Sequence, residues 1–254
     1  MNRDLSWPVY LVEALAVSDG SVVLAGDEGR HAASVRRHRV GETLVLADGH
    51  GAWVAGPVTD VEGRARLVVE VMARGVEPPP TPTLTVVQAL PKSDRADEAV
   101  ELLTAAGVDR VVPWQAARCV TRWSPDRVDR GLRRWRRTAA EAAKQSRRVR
   151  VPEVSGPMDL AAVMAAEVVG AGAVFVCHEA AAMPLVAAAA TAGLPLAGRI
   201  VVVIGPEGGL TEDEVGTFTA AGAQAVSLGP TVLRTAAAGM VAATLVLAAA
   251  GRLG

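Results

Sequence analysis

Two glycine turns carry the residues best suited to chemistry in this chain. Gly205-Pro206-Glu207-Gly208-Gly209 follows the β-branched run ending at Ile204, and Gly229-Pro230 follows the run ending at Leu228. Glycine admits positive φ and lets a ligand approach main-chain N–H and C=O groups, so such turns can read an adenine or a ribose without side chains. In open parallel sheets, ligands bind beyond the carboxyl ends of strands. One glycine pair alone is an ordinary strand-to-helix turn, but two of them after consecutive strands point to a site. A phosphate cradle fits poorly. The segment lacks the Lys-Ser/Thr of a P-loop and the full G-x-G-x-x-G spacing, and Glu207, Glu212, Asp213 and Glu214 would repel a triphosphate. A cationic or zwitterionic ligand, such as a sulfonium, sits more easily beside those carboxylates.

The elements that must position these turns read as two domains. Short apolar runs at Val9 to Val12, Ser21 to Leu24, Thr43 to Leu46, Ala52 to Val58 and Arg66 to Met72 have strand character, with one helical stretch near Glu28 to Arg37. Asp48-Gly49-His50-Gly51 between two of them is a tight turn, and the set suggests a small β-barrel over residues 1–76. The proline-rich residues 77–83 stiffen the chain and mark a linker. Over 84–254, strands alternate with helices. Strands are expected at Leu84 to Leu90, Arg110 to Pro113, Ala173 to Cys177, Arg199 to Ile204 and Ala225 to Leu228. Helices are expected at Asp94 to Ala106, Pro125 to about Arg148, Asp159 to Val168, after Pro184, from a T-x-x-E capping box at Thr211, and from about Thr235. That alternation predicts an α/β fold with a mostly parallel sheet covered by helices on both faces.

Composition narrows the partners. The apolar half of the chain is mostly Ala and Val, and its longest apolar stretch, Ala236 to Ala250, is shorter than the roughly 18 or more residues of a membrane span. No secretory signal precedes the first strand. Cys119 and Cys177 have neither CxxC nor Cys/His spacing, so no metal site or disulfide framework is indicated, and a reducing cytoplasm is the simplest location. Net charge is −1, yet eleven Lys or Arg stand against three acids between Arg122 and Arg150. Too few acids lie nearby for intrahelical pairing. Arg133, Arg134, Arg137, Lys144, Arg147 and Arg148, with Arg36, Arg37 and Arg39 from the first domain, are therefore candidate contacts for an RNA backbone. Aromatics are few, and Trp53 and Trp123 read as packing.

Val203 to Leu210 and Leu228 to Thr235 resemble, in order and separation, the two methyl-donor motifs of the 16S ribosomal RNA uridine N3-methyltransferases of the knotted SPOUT class. The resemblance extends over nearly the whole chain. His31 with Val35-Arg36-Arg37, Gly41 and Asp48-Gly49 is similar to that family's PUA-like RNA-binding barrel. Gln88 to Lys92, Glu101 to Gly107, Arg118-Cys119 and Lys144 to Arg148 match its first strand, first helix and basic middle.

The resemblance implies a deep trefoil knot, a pocket for S-adenosylmethionine, a homodimer, and a substrate in the 16S RNA of the small ribosomal subunit. On it, Ile204 to Gly209, Gly229 and the neighbouring loop hold the methyl donor, and Leu228, Leu233 and Ala238 frame its adenine. Arg234 and Arg118 are then candidates to stabilise an anionic uracil, because a guanidinium is too weak an acid to serve as a base. Glu207 could take the proton, hold the donor or tie its loop to backbone N–H groups. The family commonly has a polar pair where this chain has Ala236-Ala237. That departure keeps open a second reading, a non-catalytic RNA-binding ribosome-assembly protein of the same fold. A knotted methyltransferase with another RNA target is a third.

Overall fold

The computed structural model describes residues 4–92, 95–194 and 197–253. Its chain forms two compact units, one of residues 1–79 with 143–151 and the other of residues 80–142 with 152–254.

The first unit holds β1 (Val9–Leu11), β2 (Ser21–Leu24), α1 (Gly26–Arg30), which continues as a π-helical turn over His31–Val35, β3 (Thr43–Ala47), β4 (Ala52–Glu62), β5 (Arg66–Glu70) and β6 (Ala73–Val76). The strands pair in the order β1-β3-β4-β5-β2, with β6 also on β4 and β1 parallel to β3. Strand β4 is long because it serves two partners: its first half pairs with β3 and β6, its second half with β5, and a bulge lies between Val58 and Asp60. The alternation along β3 explains why it is wholly apolar. Leu44 and Leu46 face one core with Tyr10, Leu24 and Leu67, while Val45 and Ala47 face another with Trp53 and Val149. The Asp48 turn forms as its sequence indicates, the carboxylate accepting from His50 N at 2.7 Å and Ala52 N at 3.1 Å. Strand β6 was not anticipated. Its Ala-Arg-Gly-Val sequence has no strand period, and pairing with β4 makes it a strand.

Tyr10, the one tyrosine of the chain, is 3% exposed and its hydroxyl lies 2.8 Å from His38 Nε2. Burial pushes its phenol up to about 12. The folded state therefore favours the protonated phenol, and this stability is present below the usual tyrosine value and is lost as pH rises through 10 towards 12. Phenolate absorbance should accordingly rise with a midpoint near 12 in the folded protein. A midpoint near that of free tyrosine would contradict the burial.

The second unit holds β7 (Thr83–Ala89), α2 (Ala96–Ala106), β8 (Arg110–Trp114), most of α3 (Pro125–Gln145), β9 (Glu153–Val154), α4 (Leu160–Val163) with a π-helical turn over Met164–Val168, β10 (Ala173–Cys177), α5 (Leu185–Thr191), β11 (Arg199–Ile204), α6 (Glu212–Ala220), β12 (Gln224–Val226) and α7 (Thr235–Ala249). Its six strands run in the order β12-β10-β11-β7-β8-β9, and every pairing is parallel. Such a sheet is buried on both faces, which is why β11 reads as a continuous β-branched run. Helix α7 packs on α2, α5, β7 and β11. The expected start of α2 at Asp94 lies outside the described residues. No helix among the described residues is long and apolar enough to cross a membrane.

Helix α3 ends earlier than its composition suggests. Leu132, Trp135, Ala139 and Ala142 form its buried stripe. The helix stops at Gln145 because Arg147 takes a left-handed φ of 57°, with Arg148 N donating to Ala143 O at 2.8 Å and Arg147 N to Lys144 O at 3.1 Å. This is the Schellman pattern, with an arginine where glycine is usual, so no glycine announced the stop. The following segment, with Val149 in the core, belongs to the first unit and not to the 84–254 domain expected from sequence.

Candidate active site

Strands β10, β11 and β12 end side by side, since Cys177 is in register with both Ile204 and Val226. The three loops leaving them and the start of α7 enclose a cavity of about 390 Å³. Each wall comes from a separate strand end: Cys177 to Glu179, Ile204 to Leu210 except Gly208, and Leu228 to Thr235, with Ala238 beneath. The cavity thus gathers every donor-pocket residue expected from sequence apart from Gly208, which packs instead against Arg118. Glu179 was not anticipated. The signal was present, because it follows a strand of the same sheet.

Main-chain geometry shapes the first wall. Gly209 has φ 71° and its N–H donates to Pro206 O at 2.9 Å, closing the turn. A Cβ on Gly205 would lie 3.0 Å from the Leu210 side chain, and one on Gly208 would lie 3.2 Å from Arg118 Cβ. Glu207 Oε1 accepts from Lys92 N at 3.3 Å, which ties this turn to the end of β7.

The two arginines part here. Arg118 Nη1 donates to Gly208 O and Leu210 O, both at 3.2 Å, so its guanidinium braces the loop from behind and does not line the cavity. Arg234 does line the cavity; it is exposed and its guanidinium has no hydrogen-bond or ion-pair partner among the described residues. Its carbonyl caps α7, accepting from Ala238 N at 2.8 Å. Ala236, where a polar side chain is common in the resembling family, is buried. Burial pushes the Cys177 thiol up to about 12, so it stays neutral at the cavity floor.

Glu214 holds this assembly together. The capping box forms as Thr211 and Glu214 predict, and the buried carboxylate does more: Oε2 accepts from Thr211 N at 2.9 Å while Oε1 accepts from Ala117 N at 2.8 Å. It therefore joins the start of α6 to the segment carrying Arg118. Glu214→Ala strands two backbone donors and removes a cap, an expected loss of about 2–3 kcal/mol. Chemical denaturation would measure it, and Glu214→Gln, which keeps one acceptor, should lose less. Equal stability of all three forms would contradict the clamp.

Of the basic residues proposed for RNA, Arg36, Arg37 and Arg39 are exposed in the first unit, and Arg133 and Arg137 are exposed on α3. Lys144 needs correction, and Arg134, though exposed, is paired. Lys144 is 5% exposed and its Nζ lies 2.5 Å from Glu28 Oε1, and Arg134 donates to Asp97 Oδ2 at 2.8 and 3.0 Å. Acids distant in sequence supply these two pairings. Trp123 packs edge-on to Trp135 at 5.5 Å, and the ring of Trp53 covers Gly75.

A parallel sheet whose adjacent strand ends surround a glycine-lined cavity is a ligand-binding α/β domain, and the chain belongs to the RNA methyltransferase domain family, which matches residues 77–247. It is 48% identical over 237 residues to the ribosomal RNA small subunit methyltransferase E of Mycobacterium tuberculosis, covering 92% of this chain and 88% of the relative. The protein of the same name from Bacillus subtilis is 29% identical over 223 residues, 86% of each chain. The crystal structure of a ribosomal RNA small subunit methyltransferase E from Neisseria gonorrhoeae bound to S-adenosyl methionine superposes with a TM-score of 0.79 at 25% identity, covering 95% of this chain and 97% of that one.

Proposed function

We propose that this chain transfers a methyl group from S-adenosylmethionine to N3 of a specific uridine in the 16S RNA of the small ribosomal subunit. The observation that carries the reading is the cavity where the loops after β11 and β12 meet with Arg234 on its wall. Its volume of about 390 Å³ suits a nucleoside-sized ligand, and Glu179 and Glu207 on its wall suit a cation. The residues present therefore fit the donor. Backbone groups of Ile204 to Leu210 and of Leu228 to Leu233 would hold it, with Leu228, Leu233 and Ala238 against the adenine. When bound, S-adenosylmethionine supplies an electrophilic methyl on a sulfonium.

The chain's own contribution is positioning and charge. As N3 of the uracil gives up its proton to solvent, negative charge spreads over the ring, and the exposed Arg234 guanidinium at the cavity wall would stabilise it. Arg118, Glu207 and Glu214 keep the donor loop in shape. The exposed arginines of each unit track phosphates, so RNA binding should weaken steeply with added salt. A flat response would remove that assignment.

The same reading includes a trefoil-knotted catalytic unit, a PUA-like first unit that binds RNA, a homodimer, and a place in the cytoplasm. The strand order, in which β11 returns between β10 and β7, supports the knotted path alone. Mapping methyl groups by mass on ribosomal RNA from cells lacking this chain tests the substrate. Loss of one N3-methyluridine is expected, and an unchanged level would overturn the assignment. Calorimetry with S-adenosylmethionine tests the donor site separately.

A further inference from the structure

The first unit contains a second cavity, of about 90 Å³, which the methyl-transfer chemistry does not use. Tyr10 from β1, His31 and Arg36 from the π-helical turn and its end, His38, and Gln145 with Arg147 at the end of α3 line it. Its charge is one-sided, since no Asp or Glu is among the lining residues. Two acids lie just behind this wall, each holding a lining residue: Glu42 lies 2.5 Å from His38 Nδ1, and Glu28 pairs with Lys144, which also lines the cavity, so Arg36 and Arg147 supply its uncompensated charge. With Glu42 accepting from Nδ1–H, His38 Nε2 accepts a hydrogen bond from the Tyr10 hydroxyl, so both donors are spent toward Glu42 and the guanidinium groups are left to meet an anion. Arg36 Nη2 donates to Gln145 Oε1 at 3.4 Å, which aims its guanidinium across the cavity mouth. The Arg147 guanidinium has no carboxylate partner among the described residues.

Arg147 adds an independent observation. It occupies the left-handed position of a helix stop, where glycine costs nothing and an arginine is strained. A residue kept at a conformational cost, with its guanidinium on a cavity that lacks acids, points to a bound anion. Size selects the anion. The cavity, about 90 Å³ against the roughly 150 Å³ that encloses benzene, is open to solvent and has room for a tetrahedral phosphate but not for a wholly enclosed nucleobase.

We infer that this cavity is a phosphate-binding subsite that seats one backbone phosphate of the substrate RNA between Arg36 and Arg147. The inference rests on the proposed RNA substrate. It turns a diffuse basic surface into one defined anchoring point.

The test uses the full chain and a small-subunit ribosomal RNA fragment, with binding followed across a salt series in the parent, Arg147→Gly and Arg36→Gln. Glycine suits the left-handed backbone, so Arg147→Gly should keep or raise the melting temperature while weakening RNA binding several-fold and lowering the salt slope by about 1. Arg36→Gln should lower the slope similarly. A purely structural role for Arg147 predicts the reverse, an unchanged slope. Inorganic phosphate added to the parent should shift the His31 and His38 ring resonances, and should not do so in Arg147→Gly. If phosphate binds but neither variant alters the RNA slope, the cavity takes free phosphate only and the RNA assignment is overturned. If neither phosphate nor RNA responds, the subsite itself is overturned. S-adenosylmethionine affinity, measured in the same samples, should match the parent in all forms. Its absence in the parent would count against the methyltransferase reading and leave the phosphate result to stand by itself.

Discussion

Replacing Arg234 by alanine should lower kcat on the order of 10²- to 10³-fold, the usual consequence of removing one preorganised donor from a developing anion, while S-adenosylmethionine binds as tightly as in the parent. The expectation follows from the position of the side chain. Arg234 lies on the cavity wall without a partner, so its removal leaves no orphaned group inside the protein, and its carbonyl still caps α7. Arg234→Lys should recover only part of the rate, because a single ammonium lacks the planar fork of donors. Steady-state kinetics with small subunits as substrate, beside calorimetry for the donor, would separate the two effects. A kcat close to that of the parent would remove Arg234 from the chemistry. By contrast, Arg118→Ala should weaken donor binding first, because its bonds to Gly208 O and Leu210 O hold the loop and do not face the cavity.

The largest effect on stability is expected at Gly56. A Cβ there would sit 1.7 Å from Glu70 O and 2.9 Å from Glu70 C, both backbone atoms that cannot swing aside. Gly56 lies where β4 passes from β3 to β5, so the strands approach too closely for any side chain. Gly56→Ala should therefore cost about 3–5 kcal/mol, at the severe end for one methyl group, through displacement of β5. Gly63→Ala is the control. Its Cβ meets nothing within 4 Å and only its φ of 62° opposes the change, so about 1 kcal/mol is expected. Thermal unfolding of the two variants gives the ranking, and similar melting temperatures would show that β5 yields easily.

Much of this protein is legible along the chain because the signals are local. Period-two and continuous apolar runs locate β2, β10 and β11 to the residue, and the Thr211 to Glu214 spacing locates the start of α6. The glycine turns mark two walls of the cavity because ligand approach and chain reversal both need the missing Cβ. The role of each charged side chain is different in kind, for it depends on what lies across space. Lys144 and Arg134 look like solvated phosphate contacts until Glu28 and Asp97, remote in sequence, take them up. Arg118 and Arg234 are alike as residues, yet one is spent on loop carbonyls and the other faces the cavity. The third wall at Glu179, the end of α3 at a left-handed arginine and the small cavity of the first unit likewise arise only when distant segments meet. Backbone preference is written residue by residue, whereas Coulomb and hydrogen-bond partners are chosen by the fold, and so the folded chain assigns the work of each arginine.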